Sequence, residues 1–185
     1  MFLTLSLAFT SCKKDAEQCE SVTELTNQNH LVDLTLINQV NELNDTLTKY
    51  PQLQVSRVIN DPYLIGMHCN VFYKGLIVFT DQYSLFKSKS TNEIFSLKDY
   101  IVDTVDFTLT PTLDKENAIT IAKQTVNFNN ACMSYRLGIY DLNASISLAN
   151  KNYKLVWKVQ GDNGAYVVID AQNGEIYASF DGVWH

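Results

Sequence analysis

The apolar positions of this chain recur with two periods, one helical and one extended. Over residues 31–50, Val32, Leu36, Val40 and Leu43 repeat at spacings of three and four, a helical stripe that Pro51 closes. Asn38, Asn41, Asn44 and Asp45 weaken helix propensity there without changing the period. Strand signals then take over. Residues 53–59 are followed by an Asn60-Asp61-Pro62 turn, 63–73 by a Lys74-Gly75 turn, and 76–86 by a polar interval before residues 93–97. This succession predicts an antiparallel meander. Residues 100–109 predict a further extended segment, and Thr110-Pro111-Thr112 marks an internal boundary.

The last third returns to the helical period. Asp114 is placed to cap a helix over residues 115–127, with Glu116 in its first turn complementing the helix dipole. Ala118, Ile119, Ala122 and Val126 form its buried stripe, and the small alanines allow close approach to a sheet. Strands are predicted over 145–148, 153–159, 165–170 and 175–180. In the second of these Tyr153, Leu155, Trp157 and Val159 share one face while Lys154 and Lys158 take the other. Asp170 to Gly174 reads as a hairpin turn, in which Gly174 supplies a positive φ and Asp170 caps the turn amides.

The first residues bear on location. Residues 1–11 carry no charge and end in Thr10-Ser11 before Cys12. A run this short cannot span a bilayer, which needs about 20 apolar residues, but it fits the apolar part of a secretory signal. Phe9-Thr10-Ser11-Cys12-Lys13-Lys14-Asp15 resembles a lipoprotein signal of the Bacteroidota type, with Phe9 where Leu is usual. That resemblance implies lipid attachment at Cys12 and an outer-membrane lipoprotein of the cell envelope, on its periplasmic or its surface face. The missing basic residue ahead of the apolar run fits a start placed a few residues too late. Residues 12–29 are polar and without hydrophobic period, the pattern of a flexible tether. In an oxidising compartment the remaining Cys19, Cys69 and Cys132 allow one internal bridge; Cys69–Cys132 is the preferred pair, since both lie in the folded part, and two buried free thiols are the alternative.

Composition narrows the function classes. With 185 residues, 46% of them hydrophobic and 18% charged, the chain can bury a core. A net charge of -6 without clustered Lys and Arg argues against nucleic acid. His30, His68 and His185 form no His-Glu-x-x-His run, and the cysteine spacings match no zinc motif, so neither a metal nor another cofactor is expected. His68 and Cys69 are neighbours on a predicted strand and point to opposite faces, which separates them as a nucleophile pair. Asp61, Asp81, Asp103 and Asp106 read as solvated turn and strand-end carboxylates rather than a catalytic dyad. No enzyme signal emerges. Aromatic side chains are the surface candidates: Tyr63, Phe72, Tyr73, Tyr83, Tyr100, Tyr135, Tyr140 and Trp184, most of them expected in the core and Trp184 at a partner surface.

The helix Asp114-Lys-Glu-Asn-Ala-Ile-Thr-Ile-Ala-Lys, then Trp157 in Leu-Val-Trp-Lys-Val, then Asp170-Ala-Gln-Asn-Gly-Glu-Ile resembles a PepSY domain over residues 114–180. Residues 53–106, through Tyr73-Lys-Gly-Leu-Ile-Val and the hairpin around Asn92-Glu-Ile, are similar to the fungalysin/thermolysin propeptide unit. Those resemblances imply an α+β chain of two small helix-plus-antiparallel-sheet units, cystatin-like and PepSY-type, packed together. The expected organisation is a signal at 1–11, a tether at 12–29, an N-terminal unit at 30–110 and a PepSY-like domain at 111–185. The implied function is non-enzymatic: an envelope binding protein, held to the membrane through its lipid, that binds and restrains a peptidase. The alternative is a general envelope scaffold or ligand-binding lipoprotein with no peptidase contact.

Overall fold

The structure, a computed structural model, describes residues 22–25, 43, 49–97, 105–129, 131–144 and 151–183. These form β1 (Val22–Glu24), β2 (Leu53–Asn60), β3 (Leu64–Tyr73), β4 (Leu76–Ser88), β5 (Ile94–Leu97), α1 (Lys115–Thr125), β6 (Met133–Asp141), β7 (Tyr153–Gly161), β8 (Tyr166–Asp170) and β9 (Ile176–Phe180). All nine strands join one mixed sheet, ordered β2-β3-β4-β6-β7-β8-β9, with β1 beside β6 and β5 beside β4.

Local chemistry explains the clearest elements. The β3–β4 hairpin turns on Lys74 and Gly75, at φ 47° and 85°, the positive pair whose twist suits a two-residue loop. Asp114 accepts from the Asn117 amide at 2.8 Å and starts α1, which buries Ala118 and Ala122. At the last hairpin Asp170 accepts from the amides of Gln172 and Asn173, and Gly174 sits at φ 81°.

One face of the sheet, here the inner face, carries the core. In the first half Val55, Met67, Cys69, Val71, Tyr83 and Leu85 pack with Leu43 from the preceding chain. In the second half α1 lies over Trp157, Val159, Val167 and Ile169. Trp157 donates its indole N–H to the Leu113 carbonyl at 2.8 Å, fixing the helix start to the sheet.

The expected fold class, two helix-plus-antiparallel-sheet units packed together, is corrected. The sheet runs continuously through both halves, and α1 is the one helix longer than a turn among the described residues. The join is a parallel pairing, Ile77 with Gly138 and Val78 with Ile139, which an all-antiparallel meander does not contain. It depends on β6, where Met133, Tyr135, Leu137 and Ile139 point inward and alternate with Ser134, Arg136 and Gly138, a strand the sequence analysis did not assign. Val22–Glu24, within the expected tether, adds β1 in parallel to Met133–Tyr135, and the Glu24 carboxylate accepts from the Tyr135 hydroxyl at 3.0 Å. The helix expected over 31–50 and the strand expected over 145–148 lie outside the described residues apart from Leu43, Lys49 and Tyr50.

Candidate functional site

The join between the halves is built by an irregularity in β4. Against β3, Val78 pairs with Val71 and the next rung is Gln82 with Asn70, so Phe79, Thr80 and Asp81 stand without β3 partners. A bulge of this size redirects side chains. The three residues point to different tasks.

Asp81 turns into the protein. It meets Lys151 at 2.9 Å and accepts from the Tyr153 hydroxyl at 2.5 Å. Lys151 also contacts Asp141 at 3.1 Å. The side chains of Lys151, Asp81 and Asp141 are 8%, 3% and 0% exposed. The second Asp141 oxygen accepts the amides of Asn143 and Asn152 at 3.0 and 2.8 Å, and Thr80 accepts the Asp141 amide at 3.0 Å. Burial alone would lower the Lys151 pKa; the hydrogen-bonded carboxylates outweigh it and hold the ammonium above its ordinary value. Asp81 is therefore not the solvated carboxylate expected from sequence: the bulge carries it inward to a lysine distant in the chain. An open cleft of about 650 Å³ adjoins the network, lined by Asp106, Phe107, Lys151, Tyr153 and Lys154. Buried ionisable clusters are frequent active-site signatures. Here Lys151 is already committed to two carboxylates that tie β4, β6 and β7.

Phe79 turns the other way, onto the outer face, where its ring covers Gly138 so closely that a Cβ there would stand 2.5 Å from it. Around it the outer face alternates rings and cations. Arg136, buried, lies over Phe72 at 5.6 Å. Lys158 lies 5.4 Å from the Phe79 centroid and 5.3 Å from that of Tyr166. Tyr166 packs on Phe180 at 6.0 Å. Arg136 and Lys158 are direct cross-strand partners, a like-charge pairing that disfavours the sheet. Tyr140 and Lys154 pair four residues further along the same face, beyond Gly138 and Val156. Val156 and Val168 are buried on this side yet belong to neither inner cluster. Further along, Phe95 stacks on Phe86 at 5.5 Å, and Phe95 and Leu97 remain 45% and 57% exposed.

The side chains singled out from sequence distribute as follows. Tyr83 and Tyr135 are core, Tyr73 packs at its margin, and Tyr63 is exposed at the β2–β3 turn. Phe72 and Tyr140 belong to the outer face. His68 also lies outward, with its Nδ1 2.7 Å from the Ser84 hydroxyl, while Cys69 is sealed on the inner side. Asp61 is exposed and accepts the Tyr63 and Leu64 amides, which hold its carboxyl below the usual range. The preferred Cys69–Cys132 bridge is corrected: Cys69 is a free thiol in the first core, whereas Cys132, in the other half, is disulfide-bonded. Cys12, Tyr100, Asp103, Trp184, His30 and His185 lie outside the described residues. Sequence reasoning placed Lys158 opposite the core face but passed over its ring partners, because Phe79 reaches it only through the bulge.

No protein-family model and no curated protein matches this chain. Among solved structures it is similar to the Bacillus megaterium YpeB C-terminal domain, at 17% identity, over 80% of this chain and 65% of that one, with a TM-score of 0.45. A likeness of that degree assigns neither fold nor function.

Proposed function

We propose that this protein is a non-catalytic binding module of PepSY type, anchored to the cell envelope through a lipid on Cys12, and that it binds and restrains a secreted or envelope peptidase. The observation that carries the binding role is the outer sheet face, where the polar groups of Lys158, Tyr140 and Tyr166 make no hydrogen bond or ion pair with another described residue, and where Phe95 and Leu97 are exposed further along the same face. Aromatic and cationic side chains of this kind are the usual anchors of protein interfaces. The peptidase as partner, and the PepSY type itself, rest on the order of the capped helix at Asp114, Trp157 and the Asp170–Ile176 turn in the sequence. The non-catalytic reading draws support from the Asp81–Lys151–Asp141 network, whose groups are taken up in joining strands.

The test is capture from solubilised envelope with the immobilised, detergent-solubilised full chain. A recovered peptidase whose activity falls as the protein is added supports the restraining role. Recovery of a transport or surface assembly points to the scaffold reading, and recovering no peptidase under mild conditions sinks the peptidase reading. Intact mass of the membrane-extracted protein tests the anchor: acyl groups should be present on the wild type and missing from Cys12→Ser.

A further inference from the structure

We propose that the disulfide at Cys132 is a redox clasp: closed, it holds the N-terminal strand β1 against β6, and its reduction releases β1 and uncovers the β6 edge from Met133 to Tyr135. β7 pairs with β6 along one edge, from Met133 to Asp141. On the other edge β4 pairs with Gly138 and Ile139, so Met133 to Tyr135 lie beyond the start of β4 at Leu76. β1 takes that place, parallel to β6, with Val22 against Met133, Thr23 against Ser134 and Glu24 against Tyr135. Two contacts with Tyr135 fasten its far end. The Leu25 amide donates to the Tyr135 carbonyl at 2.9 Å, and the Tyr135 hydroxyl donates to the Glu24 carboxylate at 3.0 Å. Val22 packs on the second core, while Thr23 and Glu24 are exposed.

A strand of three residues is a weak element by itself. Ordering its backbone costs about as much as its few hydrogen bonds return, and two of its three side chains are exposed. A covalent link shifts that balance, because a segment already held beside its site loses less freedom on docking. Cys132 is placed to supply the link. It is disulfide-bonded, exposed, and adjacent to the first β1–β6 rung at Met133. Its backbone is anchored independently of β1: its amide donates to the Asp162 carboxylate at 3.2 Å, and its carbonyl accepts from the Asp162 amide at 3.0 Å. The sequence has four cysteines, and Cys69 is a free thiol buried in the first core. The other two, Cys12 and Cys19, both precede Val22 within ten positions, so a bond to either closes on the chain just ahead of β1. An exposed bond of this kind is open to thiol–disulfide exchange with a dithiol reductant. One thiolate of the reductant attacks a sulfur of the bond, forms a mixed disulfide and expels one protein thiolate; its second thiol then displaces the other. The protein ends with two thiols, having gained two electrons and two protons, and the reductant ends as a disulfide. The redox state thus decides whether this edge is covered, while β4, β6 and β7 keep their own pairing.

The test is hydrogen–deuterium exchange of the detergent-solubilised full chain, oxidised and after treatment with dithiothreitol. Reduction should speed exchange at least about tenfold in peptides covering residues 22–25 and 133–135, the signature of local opening, and leave peptides from β8 at their oxidised rates. Cys132→Ser should exchange like the reduced wild type and ignore dithiothreitol, whereas Cys69→Val should respond as the wild type does. Exchange at residues 22–25 unchanged on reduction, exchange rising across the whole sheet, or a bond that dithiothreitol opens only after unfolding overturns the proposal. So does peptide mapping that joins Cys132 to Cys69. A Cys132→Ser chain that fails to fold also overturns it, since the bond would then staple the entire fold, and reduction of the wild type checks the same point without a substitution. The readout needs no partner, so its failure leaves the envelope capture experiment to decide the binding-module reading.

Discussion

Replacing Lys151 with Met tests whether the bulge network joins the two halves of the sheet. Among the described residues Lys151 is the cation that contacts Asp81 and Asp141, whose side chains are 3% and 0% exposed. Its loss leaves two buried carboxylates without a counter-ion, although the methionine fills most of the lysine's volume. Breaking one side of a buried pair costs about 3–5 kcal/mol, against a total stability of about 5–15 kcal/mol for a typical domain. For a chain of this size that corresponds to a fall in melting temperature of roughly 6–20 °C. The assay is thermal and urea unfolding of Lys151→Met beside the neutralised triple variant Asp81→Asn, Asp141→Asn, Lys151→Met. The triple variant keeps acceptors for Tyr153 and for the Asn143 and Asn152 amides, which the wild-type carboxylates bond. It should therefore recover at least half of the loss. A Lys151→Met protein within about 0.5 kcal/mol of the wild type, or a triple variant no better than the single, would refute the assigned role.

Gly138→Ala drives a methyl to 2.5 Å from the Phe79 ring and 2.7 Å from the Ile77 carbonyl, so it should destabilise by about 1–3 kcal/mol in urea unfolding. Adding Phe79→Ala should relieve only part of that, since the Ile77 carbonyl is backbone. Asp114→Ala should cost about 1 kcal/mol through loss of the α1 cap, checked by the same assay. Burial pushes the Cys69 thiol from an ordinary 9.0 up to about 12. The folded state therefore keeps a proton that the unfolded chain releases, and stability should fall as pH rises from 9 towards 12, by up to about 1.4 kcal/mol per pH unit. Cys69→Val should flatten that decline, read as melting temperature against pH. Non-reducing peptide mapping should join Cys132 to an N-terminal cysteine, Cys19 when Cys12 carries lipid, and should find Cys69 alkylated only after unfolding.

The parts legible in the sequence are those encoded by neighbours in the chain. Asp114 as a cap, the alanine stripe of α1, the Lys74-Gly75 turn and the Asp170–Gly174 hairpin each depend on residues within a few positions of one another, and each stands where its local chemistry puts it. The alternation that sets Leu155, Trp157 and Val159 against Lys154 and Lys158 also follows from period alone, because successive side chains on a strand must point oppositely. What the tertiary structure decided depends on partners far apart in the chain. The parallel pairing of Ile77 with Gly138 and Val78 with Ile139 turned two expected units into one sheet, and no local pattern distinguishes a strand that pairs in parallel from one that does not. The bulge at residues 79–81 is visible only against the β3 register. From it follow the burial of Asp81 beside Lys151 and the placing of Phe79 beside Lys158, contacts that span roughly 70 and 80 positions of the chain.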